Sequence, residues 1–139
     1  MSELNKSVVR RFYDEVAGGG DLGLIDQLLA PDYIERAEFP GIRPGREGVR
    51  QFFTLMHRAF AEFSMDVDTL VAEGDLVAAQ LTTSGVHVGE FLGVPPSYQR
   101  VSVPTMDVVR LRDGIVVEHW SVTDTGLLLR QMQVLAAPA

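Results

Sequence analysis

Gly114-Ile-Val-Val-Glu-His-Trp-Ser-Val-Thr-Asp124, continued by Thr125-Gly-Leu-Leu-Leu-Arg-Gln131, decides the fold class of this chain. Ile115 to Thr123 is rich in β-branched and aromatic residues and predicts a strand. A leucine-rich run follows, which predicts a short helix from about Asp124 to Gln133. The strand therefore delivers a carboxylate to the point where the chain turns into its last helix. Asp124 has two readings there. It is either an N-cap accepting a bond from the helix backbone, or a general acid/base whose pKa burial would raise toward the operating pH. Residue types alone leave both open.

Upstream, Met65 to Ala72, Leu76 to His87 and about Arg100 to Leu111 also read as strands, rich in Val, Leu and Thr. Glu73-Gly74-Asp75 and Arg112-Asp113-Gly114 are the hairpin turns between them, and Val94-Pro95-Pro96 marks a longer connection. The N-terminal half has a different period. Val8, Val9, Phe12, Tyr13 and Val16 form the apolar side of an amphipathic helix over about Ser2 to Val16, ended by Gly18-Gly19-Gly20. Asp21 is expected to cap a short helix carrying Leu22, Ile25, Leu28 and Leu29, closed by Pro31. Tyr33 to Arg36 reads as a short strand. Val49, Phe52, Phe53, Met56 and Phe60 predict a third helix after the Gly41 to Gly45 loop. Helices followed by a four-stranded antiparallel meander define an α+β fold. The expectation is a curved antiparallel β-sheet with the N-terminal helices packed on its concave face. That makes a cone with a central cavity, built from residues 1–139 as a single domain.

Composition narrows the function. The 139 residues carry a net charge of -7, which argues against a nucleic-acid surface. Cysteine is absent, so disulfides and thiolate chemistry are excluded. No apolar run approaches the ~18 residues of a membrane span, and the expected location is the cytoplasm. His57, His87 and His119 share no metal-ligand spacing, so no metal site is expected. The Gly18 to Gly20 run follows a helix and not a strand, unlike a phosphate loop, and no GxSxG elbow occurs.

Two carboxylates interrupt apolar rows. Val101, Val103, Thr105, Asp107, Val109 and Leu111 share one strand face. On the next strand Val116, Glu118, Trp120, Val122 and Asp124 share a face if no bulge intervenes. Pro104 makes a bulge or edge position reasonable, so either parity can slip. Val77, Ala79 and Leu81 form an alternating apolar row suited to the outer face of the sheet, and a homodimer or homotetramer is expected there.

Taken in order, Arg11-Phe-Tyr-Asp-Glu-Val16, Leu28-Leu-Ala-Pro-Asp-Tyr33, Gly45-Arg-Glu-Gly-Val49, Gly85-Val-His-Val-Gly-Glu-Phe91, Gly93-Val-Pro-Pro-Ser97, Arg110-Leu-Arg-Asp-Gly114, Glu118-His-Trp120, Asp124 and Gln131 resemble the SnoaL-like polyketide cyclases. These belong to the nuclear-transport-factor-2-like superfamily. The resemblance spans nearly the whole chain. It implies an intramolecular aldol ring closure without metal or cofactor, in which a carboxylate matching Asp124 moves the proton. This sequence departs from the pattern at Arg36, where many relatives carry His, and at Ser97-Tyr98, where Thr-Gly is usual. It also departs around Thr105 and Asp107, where Gln and His are frequent.

The resulting expectation is a cofactor-independent cyclase or isomerase acting on a hydrophobic carbonyl substrate. Asp124, His119 and Asp107 are its candidate catalytic residues. His87, Trp120, Thr105, Tyr13, Arg36 and Phe53 are its candidate substrate contacts. The alternatives are a non-catalytic small-molecule-binding domain of the same fold, or a chemistry like that of ketosteroid isomerases or epoxide hydrolases.

Overall fold

The computed structural model describes residues 2–133. Its framework is a curved, open sheet of five strands. Four strands follow one another in antiparallel pairing: β2 (Phe60–Glu73), β3 (Leu76–His87), β4 (Arg100–Arg112) and β5 (Ile115–Thr123). The β4–β5 hairpin turns on Asp113 and Gly114, with φ of 54° and 75°. Positive φ at both central positions gives a turn whose twist matches the strands it joins.

The fifth strand is a departure from the predicted meander. β1 (Leu29–Glu35) lies at the free edge of β5 and runs parallel to it, giving the order β1-β5-β4-β3-β2. The expected second helix is correspondingly short. A 3₁₀ turn at Leu22–Leu24 leads into α2 (Ile25–Leu28), and the Asp21 side chain makes no cap bond. Leu29 starts the strand instead of ending the helix. Pro31 sits within the strand, in the irregular stretch between the Leu29↔Val116 and Ile34↔Glu118 pairs. An edge strand tolerates a residue with no N–H to donate, which is why proline does not break it.

Bulges give the sheet its curvature. Two register shifts lie between β2 and β3, one of them around Glu62, which has φ of 56°. The third decides the site. Arg110 pairs with Glu118 while Leu111 pairs with Val116, so Val117 is the extra residue on β5. Val116 therefore faces the core, and beyond the bulge His119, Ser121 and Thr123 take the concave side. Glu118, Trp120 and Val122 turn to the convex side, the reverse of simple alternation from Val116. β4 keeps its parity: Val101, Val103, Thr105, Asp107, Val109 and Leu111 are all buried.

β3 corrects the expectation for the outer face. Val77, Ala79 and Leu81 are buried, pairing with Val109, Asp107 and Thr105 on the core side. The large apolar side chains exposed on the sheet are Ile34, Val71, Met106 and Val122.

The helices close the concave side. α1 (Ser2–Arg11) buries Asn5 and Val9. It continues into a π-helical segment, Phe12–Gly18, which buries Tyr13, Val16 and Ala17. This wider turn is uncommon and is frequent at functional sites. α3 (Gly45–Ala59) buries Val49, Phe53, Met56 and Ala59 and passes into β2 at Phe60 without a loop. α4 (Thr125–Met132) follows β5 and buries Leu128 and Met132.

Gly48 in the first turns of α3 holds this arrangement tightly, because a Cβ there would lie 1.7 Å from the Arg43 carbonyl oxygen. Alanine normally improves a helix by roughly 1 kcal/mol over glycine. Here the sign reverses. Gly48→Ala is expected to destabilise by about 1–3 kcal/mol in denaturant unfolding, the usual cost of overpacking that forces a backbone shift. A neutral or stabilising result would contradict the close approach.

Candidate active site

Between the sheet and the helices lies a cavity of about 400 Å³. All seven phenylalanines of the chain line it: Phe12, Phe39, Phe52, Phe53, Phe60, Phe63 and Phe91. They pack edge-on or stacked in a continuous series, as in Phe12–Phe53 at 5.8 Å and Phe39–Phe91 at 5.8 Å between centroids. Such contacts hold rigid rings against one another.

One end of this aromatic chamber is polar. Asp107, on β4, is 2% exposed. Its Oδ2 accepts from the Tyr13 hydroxyl and bonds His119 Nε2 at 2.9 Å. On the other side of the imidazole, Nδ1 meets Glu35 Oε2 at 2.7 Å. Glu35 in turn accepts from the Tyr33 hydroxyl at 2.6 Å and from the Ala37 N–H at 3.1 Å. The cluster thus joins β1, β5, β4 and the π-helical segment. Asp107 Oδ1 is the exception, buried and without a hydrogen-bond partner among the described residues.

Charge fixes the protonation pattern. Burial opposes the His119 imidazolium, but its hydrogen bonds to Asp107 and Glu35 and their Coulomb attraction outweigh that cost. Its pKa is raised to about 10. The ring is therefore a cation at neutral pH that donates from both nitrogens. Burial first, and Asp107 second, push the Tyr13 hydroxyl well above its ordinary value. Burial and Glu35 do the same for Tyr33. Both phenols stay protonated and can only donate to their carboxylates.

Residues 7–132 match the SnoaL-like polyketide cyclase family. The chain belongs to that family. The nogalonic acid methyl ester cyclase of Streptomyces nogalater is 30% identical over 110 residues, covering 78% of this chain and 82% of the relative. TsrD from Streptomyces laurentii superposes with a TM-score of 0.86 at 31% identity, over 95% of this chain and 96% of its own. IdmH from Streptomyces antibioticus superposes with a TM-score of 0.79 at 31% identity, over 92% of this chain and 97% of its own.

Within this SnoaL-like cone the sequence-derived site residues separate into two groups. Asp107, His119, Tyr13 and Phe53 meet at the cavity wall. Thr105 lies buried beside Asp107, bonded to Thr83 and Thr123. The others are elsewhere. Asp124 is exposed and caps α4, its Oδ1 accepting from the Leu127 N–H at 3.0 Å. The helix-cap reading describes its place, and the carboxylates lining the cavity are Glu35, Glu38 and Asp107. Trp120 is on the convex face beneath the Arg110 guanidinium, 5.8 Å from the ring centroid, because of the Val117 bulge. Arg36 also points outward, pairing with Glu118 at 2.6 Å. His87 is buried behind the wall, tilted against Phe60 and bonded to Ser97.

Glu35 is the residue that sequence reasoning missed. It ends a strand whose parallel pairing has no local signal, and only the Glu35↔His119 register brings the two together. Among the described residues no group of three or more His, Asp or Glu side chains is arranged to hold a metal ion. Nor is any helix long and apolar enough to cross a membrane.

Two outcomes follow. Because the folded pKa of His119 lies above the unfolded value of about 6.5, its protonation stabilises the fold fully below pH 6.5. That contribution declines above 6.5 and is lost as pH rises through about 10. The stability gap between wild type and His119→Gln should shrink over that interval, and ring NMR at pH 8 should report an imidazolium. A neutral ring at pH 8 would contradict the double carboxylate bond. For the cap, Asp124→Ala should cost about 1 kcal/mol in unfolding and Asp124→Asn less, since the amide oxygen still accepts.

Proposed function

We propose that the chain catalyses an acid/base ring closure of the polyketide cyclase type on a hydrophobic, carbonyl-bearing substrate, with Asp107 as the proton carrier. The observation that supports this reading is the pair of unlike oxygens on Asp107. Oδ2 is fixed by Tyr13 and His119, while Oδ1 is buried without a hydrogen-bond partner among the described residues, in a residue that lines the cavity. A general base needs a fixed orientation and an acceptor not already engaged, and Asp107 has both.

The proton balance closes on one carboxylate. Asp107 removes a proton from a carbon flanked by carbonyls, whose conjugation spreads the charge of the enolate. The enolate carbon then attacks a second carbonyl carbon of the same molecule. A C–C bond forms, the C=O π bond opens, and the resulting alkoxide takes back the proton held by Asp107. No net proton, electron or water is consumed.

The surrounding groups have separable roles. His119, held cationic by Glu35 and Asp107, keeps positive charge beside the carboxylate throughout. Tyr13 fixes the Asp107 rotamer from the helix side. The phenylalanine walls exclude water, which strengthens each of these charge interactions and protects the enolate from bulk proton exchange. Asp124 has no part in these steps.

Replacing Asp107 with Asn keeps the size of the side chain and removes the base. Turnover of a cyclisable poly-carbonyl substrate should fall by about 10²–10⁴-fold, the usual contribution of a positioned base. Asp124→Asn should retain it. Full turnover by Asp107→Asn, or its loss in Asp124→Asn, would reject Asp107 as the proton carrier.

A further inference from the structure

The cavity has a second polar feature, on the concave face of the sheet beside Asp107. Thr83, Thr105 and Thr123 stand side by side on β3, β4 and β5. Thr83 Oγ1 lies 2.8 Å from Thr105 Oγ1, which lies 3.1 Å from Thr123 Oγ1. Thr105 is fully buried, whereas Thr83 and Thr123 both line the cavity.

Counting protons shows what such a row can offer. Each hydroxyl has one proton to donate and can accept as well. With Thr105 donating to one neighbour and accepting from the other, the arrangement that leaves no buried proton unbonded, two of the three protons are used within the row. The third belongs to whichever terminal threonine is the acceptor, and it has no partner among the described residues. If the row runs one way, Thr83 presents the free proton and Thr123 a lone pair. If all three hydroxyls rotate, the ends exchange roles. The cavity is therefore offered one donor and one acceptor, and their order adapts to the occupant. Bonds in series also polarise one another, which strengthens the end donor.

We propose that this threonine row is a specificity subsite that binds a second, neutral oxygen function of the substrate, a carbonyl or a hydroxyl. This deepens the cyclase reading and takes the position of the reacting carbon at Asp107 from it. Thr123 pairs with Thr105 and Thr83 with Val103, two and four residues from Asp107 on β4, so an oxygen bound at the row sits roughly 7–13 Å along the strand from the base. A neutral group is favoured over an anion for two reasons. Hydroxyls supply no charge to offset the dehydration of a carboxylate or phosphate. The neighbouring cluster also brings two carboxylates against a single imidazolium. Ser84 and Ser121 also line the cavity, but Val101, Val103 and Phe63 near the row are apolar. An oxygen placed among them would lose its hydration without a replacement bond.

The test is a binding comparison that requires no turnover, so its outcome is independent of whether Asp107 moves a proton. Calorimetric titration with 1-tetralone and with tetralin compares one carbon frame with and without a carbonyl oxygen. Wild type should bind tetralone about fivefold more tightly than tetralin, the gain typical of one neutral hydrogen bond. The variant Thr83→Val with Thr123→Val removes both ends of the row and should bring the ratio to about one. Thr83→Ser with Thr123→Ser keeps the hydroxyls and should keep the preference. If the double valine variant fails to fold, the single variants replace it, and at least one should lower the ratio. Equal binding of the two probes by wild type would overturn the subsite. So would an undiminished preference after loss of both hydroxyls. Failure of Asp107→Asn to lose turnover would reject the cyclase mechanism and leave this result standing.

Discussion

The imidazolium of His119 between Glu35 and Asp107 is the constraint on which the remaining architecture depends. It bridges the two neighbours of β5, the parallel strand β1 through Glu35 and the antiparallel strand β4 through Asp107. Removing charged groups from water costs several kcal/mol each, and only close opposite charges with well-formed hydrogen bonds repay it. The cluster meets that condition only if β1 is seated in its observed register. A shift by one residue would aim Glu35 at the other side of the sheet and leave His119 with a single carboxylate. The convex side carries a matching restraint, since Arg36, just past the end of β1, and Glu118, the residue before His119 on β5, pair there at 2.6 Å. A short edge strand with a proline in it is thereby pinned from both faces.

The aromatic chamber and the polar cluster depend on each other. An open volume inside a protein sacrifices dispersion contacts and is tolerated when rigid side chains cannot collapse into it. Phenylalanine suits this role, having a large apolar ring and few rotatable bonds. Rings leaning on rings, from Phe12 through Phe53 to Phe52, support the walls without help from a ligand. The dryness they provide is what makes the Asp107–His119–Glu35 charges interact strongly. In return, the Tyr13 bond to Asp107 ties the π-helical segment to the sheet. Substrate recognition, on this view, divides between apolar walls that set shape and a small number of polar groups that set orientation.

Much of this was legible in the chain. The four antiparallel strands show as Val-rich and Thr-rich runs with Gly-containing turns between them, because local twist and side-chain alternation are encoded residue by residue. Asp107 is visible as a carboxylate in an otherwise apolar row, and the row stays in register along β4. β1 is not legible. Leu28-Leu-Ala-Pro31 reads as the end of a helix, and its pairing partner lies some eighty residues away in the chain. For the same reason Glu35 carries no signal of its own. Asp124 shows the opposite problem: a strong local signal, shared by a helix cap and a buried acid, that local sequence cannot resolve.

The amino-acid sequence by itself determined the α+β class, the antiparallel hairpins, the family and the presence of acidic residues among apolar ones. Each of these rests on short-range patterns or on the order of motifs. Tertiary structure alone decided which carboxylates meet the cavity. A single extra residue at Val117 turns His119 inward and Trp120 outward, and the parallel docking of β1 supplies Glu35. Both are matters of strand register, which is set by the balance of buried charge and packing across the whole sheet. The start of α4 then leaves Asp124 outside as its cap.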